Sequence, residues 1–176
     1  FSDVTLQSAN QSAGSNVTAV AAPFVAVRQA DGTLLGKPYP DIFVVISGYS
    51  PAQGGRRRIF TSALDTVANR VRFSDVTDSN MRPGTDPRSS RSIRVVDWDR
   101  DGRADVVMGG IEDRPMYYNN IGNGVFEDRS NAVLPEHYME NTQDLAVGDF
   151  DRDGDQDIFL INGFQQSRIL WNREIP

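Results

Sequence analysis

The sequence predicts an all-β protein made of about three repeat units, each a four-stranded antiparallel sheet. Three observations lead to this fold class. An acidic segment recurs after 52 residues, a short apolar run that ends in glycine follows each copy, and these runs have the length of strands rather than helices. A repeat period near 50 with four strands in each unit is typical of the blades of a β-propeller. We therefore expect propeller-type blades.

The two acidic segments lie in equivalent surroundings. Residues 97–105 read Asp-Trp-Asp-Arg-Asp-Gly-Arg-Ala-Asp, and residues 149–157 read Asp-Phe-Asp-Arg-Asp-Gly-Asp-Gln-Asp. The short apolar stretches Ile93–Val96 and Leu145–Val147 precede them and are predicted to be strands. The run Ile158–Ile161 is apolar throughout, which is expected of a strand covered on both faces. Each acidic segment is therefore predicted to be a loop between two strands.

The second half of each unit also repeats. An aromatic residue and an asparagine recur at an interval of 53, as Tyr118-Asn119 and Trp171-Asn172. Asn120–Gly124 is a tight-turn sequence and predicts a hairpin. An outer strand is predicted at three related segments, of which the first two are identical: Phe1–Thr5, Phe73–Thr77 and Phe126–Ser130.

The repeats divide the chain into three predicted units, at residues 1–77, 78–130 and 131–176. The first unit is irregular, because Pro40–Gly48 matches a central strand but Gln29–Gly36 replaces the acidic segment and has too few carboxylates for a strong cation site. The third unit ends where an outer strand is due. The best candidate for a helix is Leu134–Gln143, and Pro135 limits it to a short turn.

The acidic segments carry the residue types that calcium requires. Calcium takes six to eight oxygen ligands in a flexible geometry, so several carboxylates must converge on one tight loop. Gly102 and Gly154 permit the sharp reversal of such a loop. Four side chains and one backbone carbonyl are predicted to bind the ion at each of two sites. The first site comprises Asp97, Asp99, Asp101, the Arg103 carbonyl and Asp105, and the second comprises Asp149, Asp151, Asp153, the Asp155 carbonyl and Asp157.

Other interpretations of these loops are less consistent with the sequence. An EF-hand needs a bidentate glutamate at loop position twelve and flanking helices. Position twelve is Met108 in one loop and Leu160 in the other, and both lie in predicted strands. Magnesium prefers fewer protein oxygens and more water. Plain solvated Asp-Gly turns are disfavoured because the two loops occupy matching places in a repeat.

Composition excludes several classes of function. The formal net charge of −6 argues against a nucleic-acid partner held by phosphate contacts. The chain has no cysteine, so neither a disulfide nor a thiolate metal site is possible. It has no apolar run long enough to insert into a membrane. Asn10 and Asn16 begin Asn-x-Ser/Thr sequences and are candidates for glycosylation.

The loop motif, Asp-x-Asp-x-Asp-Gly-x-x-Asp followed by an apolar strand and glycine, resembles the FG-GAP/VCBS repeats of integrin α-subunit β-propellers and of many secreted proteins. The segment Tyr-Asn-Asn-x-Gly-x-Gly-x-Phe-x-Asp at residues 118–128 is similar to the second half of a VCBS unit. The resemblance covers the chain from Phe73 onward. It implies an extracellular or cell-surface propeller whose ion loops stiffen hairpins on one face while loops on the other face meet partners. It carries over no catalytic residues.

Closure of such a propeller is an open question in the sequence, because a propeller has about four to eight blades and three units are visible. In the first alternative the sequence is an excerpt of a longer propeller. Alternatively, Phe1–Thr5 completes the third unit of the same chain. In the third alternative it completes the third unit of a neighbouring copy by strand addition, which would build a ring or a filament.

The leading hypothesis is a non-catalytic, calcium-stiffened extracellular module for adhesion, recognition or self-assembly. Its expected partner is a protein or glycan ligand, or a neighbouring copy of the chain. The connecting loops Asp78–Arg91 and Asn131–Gln143 form the candidate partner surface. A carbohydrate-binding lectin is the alternative, for which Trp98, Tyr138 and Trp171 are available.

An enzyme is not expected. The single histidine, His137, lies in a connecting loop without a nucleophile motif, and carboxylates that bind calcium are unavailable as general acids. The basic run Arg56–Arg58, with Arg88 and Arg91, is interpreted as a solvated strand edge that discourages unwanted pairing. A patch for an anionic partner is the other interpretation of that run.

Overall fold

The structure, a computed structural model, describes residues 16–28, 31–36, 38–47, 56–82, 90–135 and 140–173. The strands are β1 (Asn16–Ala22), β2 (Ala26–Arg28), β3 (Leu34–Gly36), β4 (Asp41–Ser47), β5 (Arg56–Asp65), β6 (Arg70–Asp75), β7 (Ile93–Val96), β8 (Asp105–Met108), β9 (Ile111–Asp113), β10 (Met116–Asn120), β11 (Phe126–Asp128), β12 (Glu140–Gly148), β13 (Asp157–Asn162) and β14 (Arg168–Leu170). Two helices, α1 (Thr77–Asn80) and α2 (Ser130–Val133), follow β6 and β11. No helix in the described residues is long and apolar enough to cross a membrane.

The strands form three four-stranded antiparallel sheets and one small hairpin. Their orders are β1-β4-β5-β6 in the first sheet, β7-β8-β10-β11 in the second, β9-β12-β13-β14 in the third and β2-β3 in the hairpin. The prediction of an all-β chain of four-stranded antiparallel sheets is confirmed. One strand is exchanged between units, because β9 lies between β8 and β10 in the chain but pairs with β12, with Asp113 opposite Glu140.

The second sheet lies between the other two, and its central strand β8 is buried on both faces. Val106 and Met108 belong to the core shared with the first sheet, whereas Val107 belongs to the core shared with the third. Alternate residues of a strand point to opposite faces, so this division follows from the pleat. In the first core, the rings of Phe43 and Phe126 meet edge to face with their centroids 5.3 Å apart.

The third sheet is covered on one face. Ile158 and Leu160 are fully buried in the core shared with the second sheet, whereas Ile161 is 39% exposed and Phe159 is half-buried. The prediction that Ile158–Ile161 is covered on both faces is therefore wrong. Phe159 and Ile161, on the other face, belong to neither core of the described chain. These apolar side chains are therefore not fully buried.

The repeat interval is 52 residues in both halves of the unit. Met116 pairs with Met108 in the second sheet, and Arg168 pairs with Leu160 in the third. Asn172 is therefore equivalent to Asn120, and the predicted interval of 53 is wrong by one residue. The error arises because two asparagines stand side by side in the second unit and either can be aligned with the single one in the third.

Two local interpretations also need correction. Among the described residues, Arg56–Arg58 pair with β4 alone, because β6 pairs only with residues 60–65 of β5. The basic run is therefore a strand edge, but it is not solvated throughout. Arg57 is buried, with its guanidinium carbon 4.8 Å from the ring centroid of Tyr118, and Arg58 pairs with Asp75 at 2.9 Å. The helix candidate Leu134–Gln143 is also wrong, because α2 ends at residue 133 and β12 begins at residue 140.

Candidate metal centre

The two acidic segments are hairpin loops with the same backbone conformation. One joins β7 to β8 and the other joins β12 to β13. Arg100 and Arg152, at the fourth position of each loop, have φ angles of 54° and 67°. Gly102 and Gly154, at the sixth position, have φ angles of 82° and 98°, a region that favours glycine. The shared sequence therefore produces a shared fold.

Both loops are held in shape by their own carboxylates. The Gly102 N–H donates to Asp97 Oδ2 at 3.1 Å, and the Gly154 N–H donates to Asp149 Oδ2 at 3.2 Å. In the first loop, the Asp101 N–H also donates to the second aspartate of the motif at 3.3 Å. Bonds of this kind leave the remaining carboxylate oxygens turned toward the interior of the loop.

Each loop gathers three carboxylates. One oxygen from each of Asp97, Asp99 and Asp105 lies within 4.8 Å of the others, and the same holds for the second group. The second group consists of Asp149, Asp151 and Asp153. Two oxygens that each bind one calcium ion at about 2.4 Å are separated by at most about 4.8 Å. The dimensions of both clusters therefore fit a single hard cation.

A buried oxygen in the first loop points to the same conclusion. Asp97 Oδ1 is inaccessible to solvent and has no hydrogen-bond partner in the described structure. An unpartnered carboxylate oxygen is costly to bury, and a bound cation would satisfy it. The donor set of the first loop thus fits calcium, and the ion would be held by Asp97, Asp99 and Asp105.

Two predicted side-chain ligands lie outside these clusters. The Asp101 carboxylate pairs with the Arg103 guanidinium and accepts the Arg103 N–H at 2.8 Å. Asp157 accepts the N–H groups of Phe150 and Asn172, both at 2.9 Å. The side chains of Arg103 and Asp155, the residues predicted to offer carbonyls, make ion pairs. The role of their carbonyls stays a prediction.

The last aspartate of the loop has an equivalent in all three sheets. Asp41, Asp105 and Asp157 are fully buried, and each is the first residue of an inner strand of its sheet. Asp41 accepts the N–H groups of Val25 and Ser62 at 3.0 and 2.8 Å. These donors occupy positions equivalent to those of the residues that donate to Asp105 and Asp157. Because the first sheet has no acidic loop, this bonding does not depend on a cation. Sequence reasoning missed this role of Asp41.

Burial and mutual repulsion make the first cluster prone to protonation without a cation. Burial raises the pKa of Asp105 to about 6, with a smaller contribution from the charge of Asp99. Burial also raises the pKa of Asp97. In the second loop, desolvation and the charges of Asp153 and Asp157 raise the pKa of Asp151. A bound cation would reverse these shifts.

Two side chains of β10 support the first cluster. The Tyr117 hydroxyl donates to Asp105 Oδ2 at 2.8 Å, and the Asn119 amide donates to Asp99 Oδ2 at 2.8 Å. The register places Ile169 and Trp171 at the equivalent points of the third sheet, so the second loop lacks this support. Sequence reasoning did not find these residues, because the interval of 53 had misaligned them.

Several predicted residues lie outside the described ranges. These are the predicted outer strand Phe1–Thr5, the sequon residue Asn10, Arg88, His137 and Tyr138. Asn16, the other sequon residue, is the first residue of β1. The connecting loops at residues 78–91 and 131–143 are described only in part.

The fold and the site define a repeat protein of stacked antiparallel sheets, two of which carry a loop of clustered carboxylates. Residues 97–160 match the family model of the FG-GAP-like repeat, which spans both acidic loops. Residues 97–160 therefore contain an FG-GAP-like repeat, and the resemblance seen in the motifs of the chain is confirmed over that segment. None of the curated proteins matches the chain.

Proposed function

We propose that the chain is a non-catalytic, extracellular module of propeller-type blades in which two calcium ions stiffen successive hairpins. The observation that carries this proposal is the pair of carboxylate clusters, each of a size for one cation, at equivalent hairpin ends of adjacent sheets. Flexible oxygen-rich loops of this kind suit calcium better than magnesium.

The ion would act by joining the two strands that flank each loop. Asp97 directly follows β7, and Asp105 is the first residue of β8, so a cation bound to both ties the ends of the hairpin together. It would also remove the repulsion among carboxylates that are held close to one another. The hairpin then resists fraying, which is the mechanical property that an adhesion or recognition module requires.

The exposed face of the third sheet supports a propeller. Phe159 and Ile169 occupy the register positions that Val107 and Tyr117 occupy in the second sheet. Val107 and Tyr117 are buried against the third sheet, whereas Ile169 is 39% exposed. A further sheet of the same kind stacked on this face would continue the series, and a series of such sheets is the arrangement of propeller blades.

Removal of the cation tests the structural role of calcium. Metal-stripped protein is expected to unfold at a lower temperature than protein with excess calcium, because a ligand that binds the native state stabilises it. Asp97→Asn and Asp149→Asn should each remove part of this difference, and the double variant should remove most of it. If calcium leaves the melting temperature of the unaltered chain unchanged, the structural role is lost.

Self-assembly is supported by a clamp that ends the outer strands. In the first sheet the Thr77 hydroxyl accepts the Ile59 N–H at 3.0 Å, and the Val76 N–H donates to the Ile59 carbonyl at 2.9 Å. In the second sheet the segment at Ser130 makes the same two bonds with the Tyr117 backbone, at 2.9 and 3.0 Å. The same pair of hydrogen bonds therefore follows the outer strand in both sheets, and we call it the clamp.

The third sheet has a place for such a strand. β14 pairs with β13, and in the described residues no strand lies on its other side. Ile169 takes the register position of Tyr117. Phe1–Thr5 has the sequence of the clamp segment Phe73–Thr77. In our proposal, this segment of the same or a neighbouring copy adds beside β14, and the Thr5 hydroxyl accepts the Ile169 N–H.

Engineered cysteines can test this pairing, because the chain has none of its own. Ser74 lies opposite Thr61 in the first sheet, so Ser74→Cys with Thr61→Cys calibrates the geometry. The corresponding pair in the third sheet is Ser2→Cys with Trp171→Cys. A link within one chain supports closure by the same copy, and a ladder of oligomers supports addition to a neighbouring copy. Linking no faster than a mismatched pair, Ser2→Cys with Ser79→Cys, would exclude both.

Glycan binding is a second candidate function, favoured by a cleft that contains both tryptophans of the chain. The cleft has a volume of about 570 Å³ and is lined by Trp98, Trp171 and Arg168, among others. Trp171 is 40% exposed, and an adjoining cleft adds Asp99. Aromatic faces beside a few polar groups are common in ligand sites. We expect glycan-array signals that Trp98→Ala and Trp171→Ala abolish; an array without signals would exclude this function.

A further inference from the structure

The two acidic loops contact each other directly. The Asp97 N–H of the first loop donates to Gln156 Oε1 of the second at 2.9 Å. The Arg100 guanidinium of the first loop lies 2.8 Å from Asp155 Oδ1 of the second. The Asp155 side chain is only 6% exposed, so this ion pair is largely shielded from solvent on the acidic side. Each loop therefore helps to hold the other.

The contacts involve the positions at which the two loops differ. Both loops share the first, third, fourth, fifth, sixth and ninth residues of the motif. At the seventh and eighth positions the first loop has Arg103 and Ala104, whereas the second has Asp155 and Gln156. Arg103 pairs within its own loop. Asp155 and Gln156, two of the three second-loop residues that differ from the first loop, are thus the two that reach across to it.

A third bond joins the loops through β14. The Asn172 amide donates to the Trp98 carbonyl at 2.9 Å, while the Asn172 N–H donates to Asp157. Trp98 in turn packs against the core shared by the second and third sheets. The first loop is therefore held at three points, by Gln156 and Asp155 of the second loop and by Asn172.

We propose that the two loops bind their cations with positive cooperativity, transmitted by the Asp97–Gln156 and Arg100–Asp155 contacts. This inference rests on the proposed cation binding. A cation that orders one loop also fixes the groups that hold the other loop. The second ion therefore pays a smaller cost in conformational entropy when it binds. Repulsion between two bound ions acts in the opposite direction and is weakened by salt. The coupling must be reciprocal, since each site changes the affinity of the other by the same factor.

Terbium luminescence can report the first loop alone. Terbium(III) replaces calcium in oxygen-ligand sites and emits when a nearby indole transfers energy to it. Trp98 lies in the first loop, and the equivalent residue of the second loop is Phe150. In a Trp171→Phe background, Trp98 is the single tryptophan of the chain. Excitation of that indole then yields the terbium affinity of the first loop.

The central comparison switches off the second loop. Asp151→Asn with Asp153→Asn removes two of its clustered carboxylates, and we expect the terbium affinity of the first loop to fall by about fivefold. Calorimetry of the reciprocal variant, Asp97→Asn with Asp99→Asn, should show an equal fall at the second loop. Thermal melts of each variant establish that it is folded before its affinity is interpreted.

Contact variants assign the coupling to the proposed groups. With Arg100→Gln and Gln156→Ala together, inactivation of the second loop should no longer change the affinity of the first. Arg152→Gln is the matched control, because Arg152 has the same place in the second loop and is exposed. It should leave the coupling intact. If the first loop binds terbium with the same affinity whether or not the second loop is inactivated, cooperativity is excluded while cation binding stands. If no terbium binds at either loop, the proposed function itself fails.

Discussion

The Tyr117 hydroxyl and the Asp105 carboxylate are joined by a hydrogen bond of 2.8 Å at the base of the first acidic loop. Tyr117 is buried between the second and third sheets, so the bond ties the carboxylate cluster to a packed core. The third sheet has Ile169 at this place and offers its loop no such anchor. The first loop is also more buried than the second, whose three clustered aspartates are all exposed.

Tyr117→Phe is therefore expected to weaken cation binding at the first loop. The ring and its packing remain, and only the donor to Asp105 is lost. Hydrogen bonds donated to a metal-binding side chain typically change metal affinity by about tenfold, and we expect a loss of that size in a terbium titration read through Trp98. Tyr118→Phe is the matched control, because the Tyr118 hydroxyl contacts only the Met116 sulfur, at 3.9 Å, in the described structure. Equal affinities for the two variants would show that the anchor is irrelevant.

The stability of the protein is expected to depend on pH in opposite ways with and without calcium. The pKa of Asp105 is raised by burial from an ordinary value of 3.8 to about 6. The group therefore favours the ion-free folded state fully below pH 4, and this contribution is lost as the pH rises through 6. The loss is on the order of 3 kcal/mol.

Calcium requires the charged carboxylate, so the ion should restore this stability at higher pH. We expect the rise in melting temperature caused by calcium to be small at pH 4.5 and large at pH 7.5. Differential scanning calorimetry of metal-stripped protein, with and without added calcium, measures this directly. The difference should become less dependent on pH in Asp105→Asn. A calcium effect that is constant across this range would contradict the assignment of Asp105 as a ligand.

Asp41→Ala should destabilise the chain whether or not calcium is present. The substitution leaves the N–H groups of Val25 and Ser62 without their acceptor in a buried place. Unsatisfied buried donors cost about 1–3 kcal/mol each, so we expect a loss of roughly 3 kcal/mol in the free energy of unfolding. Asp78→Ala, at an exposed position in α1, is the control. A loss that appears only with calcium would mean that the last aspartate acts through a cation in this sheet too.

Much of the candidate site could be predicted from the sequence, because its information is local. The spacing of aspartates around Gly102 is enough to predict a loop with converging carboxylates, and repetition at Gly154 distinguishes it from a chance turn. The choice of side-chain partners within the loop and the exchange of strands between sheets could not be predicted in this way. Asp101 is diverted to Arg103, and β9 is transferred to the neighbouring sheet, through contacts that no periodicity reveals.

Burial was the least predictable feature. The apolar runs of β8 and β13 look alike in sequence, yet β8 is buried on both faces and Ile161 of β13 is exposed. The difference depends on which sheets pack against the strand, and the sequence of the strand alone does not specify them. The polar support of Asp105 by Tyr117 is hidden for a similar reason, since an aromatic residue in a strand is usually read as core.

Gly110 lies between β8 of the second sheet and β9 of the third and provides the last prediction. A Cβ atom on Gly110 would lie 2.2 Å from the backbone oxygen of Asp113, and backbone cannot move aside as a flexible side chain can. Gly110→Ala should therefore cost about 3 kcal/mol or more in the free energy of unfolding and loosen the β9–β12 pairing. Hydrogen exchange would show the loosening as faster exchange in β9 and β12.

Gly148→Ala is the matched control for this clash. A Cβ atom there would meet only the Phe150 ring, at the ordinary contact distance of 3.6 Å, so chemical denaturation should give a change within about 0.5 kcal/mol. Comparable losses for the two variants would show that the close approach at Gly110 is not the cause, because the effect of alanine on the entropy of the unfolded chain is stabilising. A loss confined to Gly110→Ala, with exchange accelerated in β9 and β12, would identify the exchanged strand as the junction that fixes the third sheet against the second.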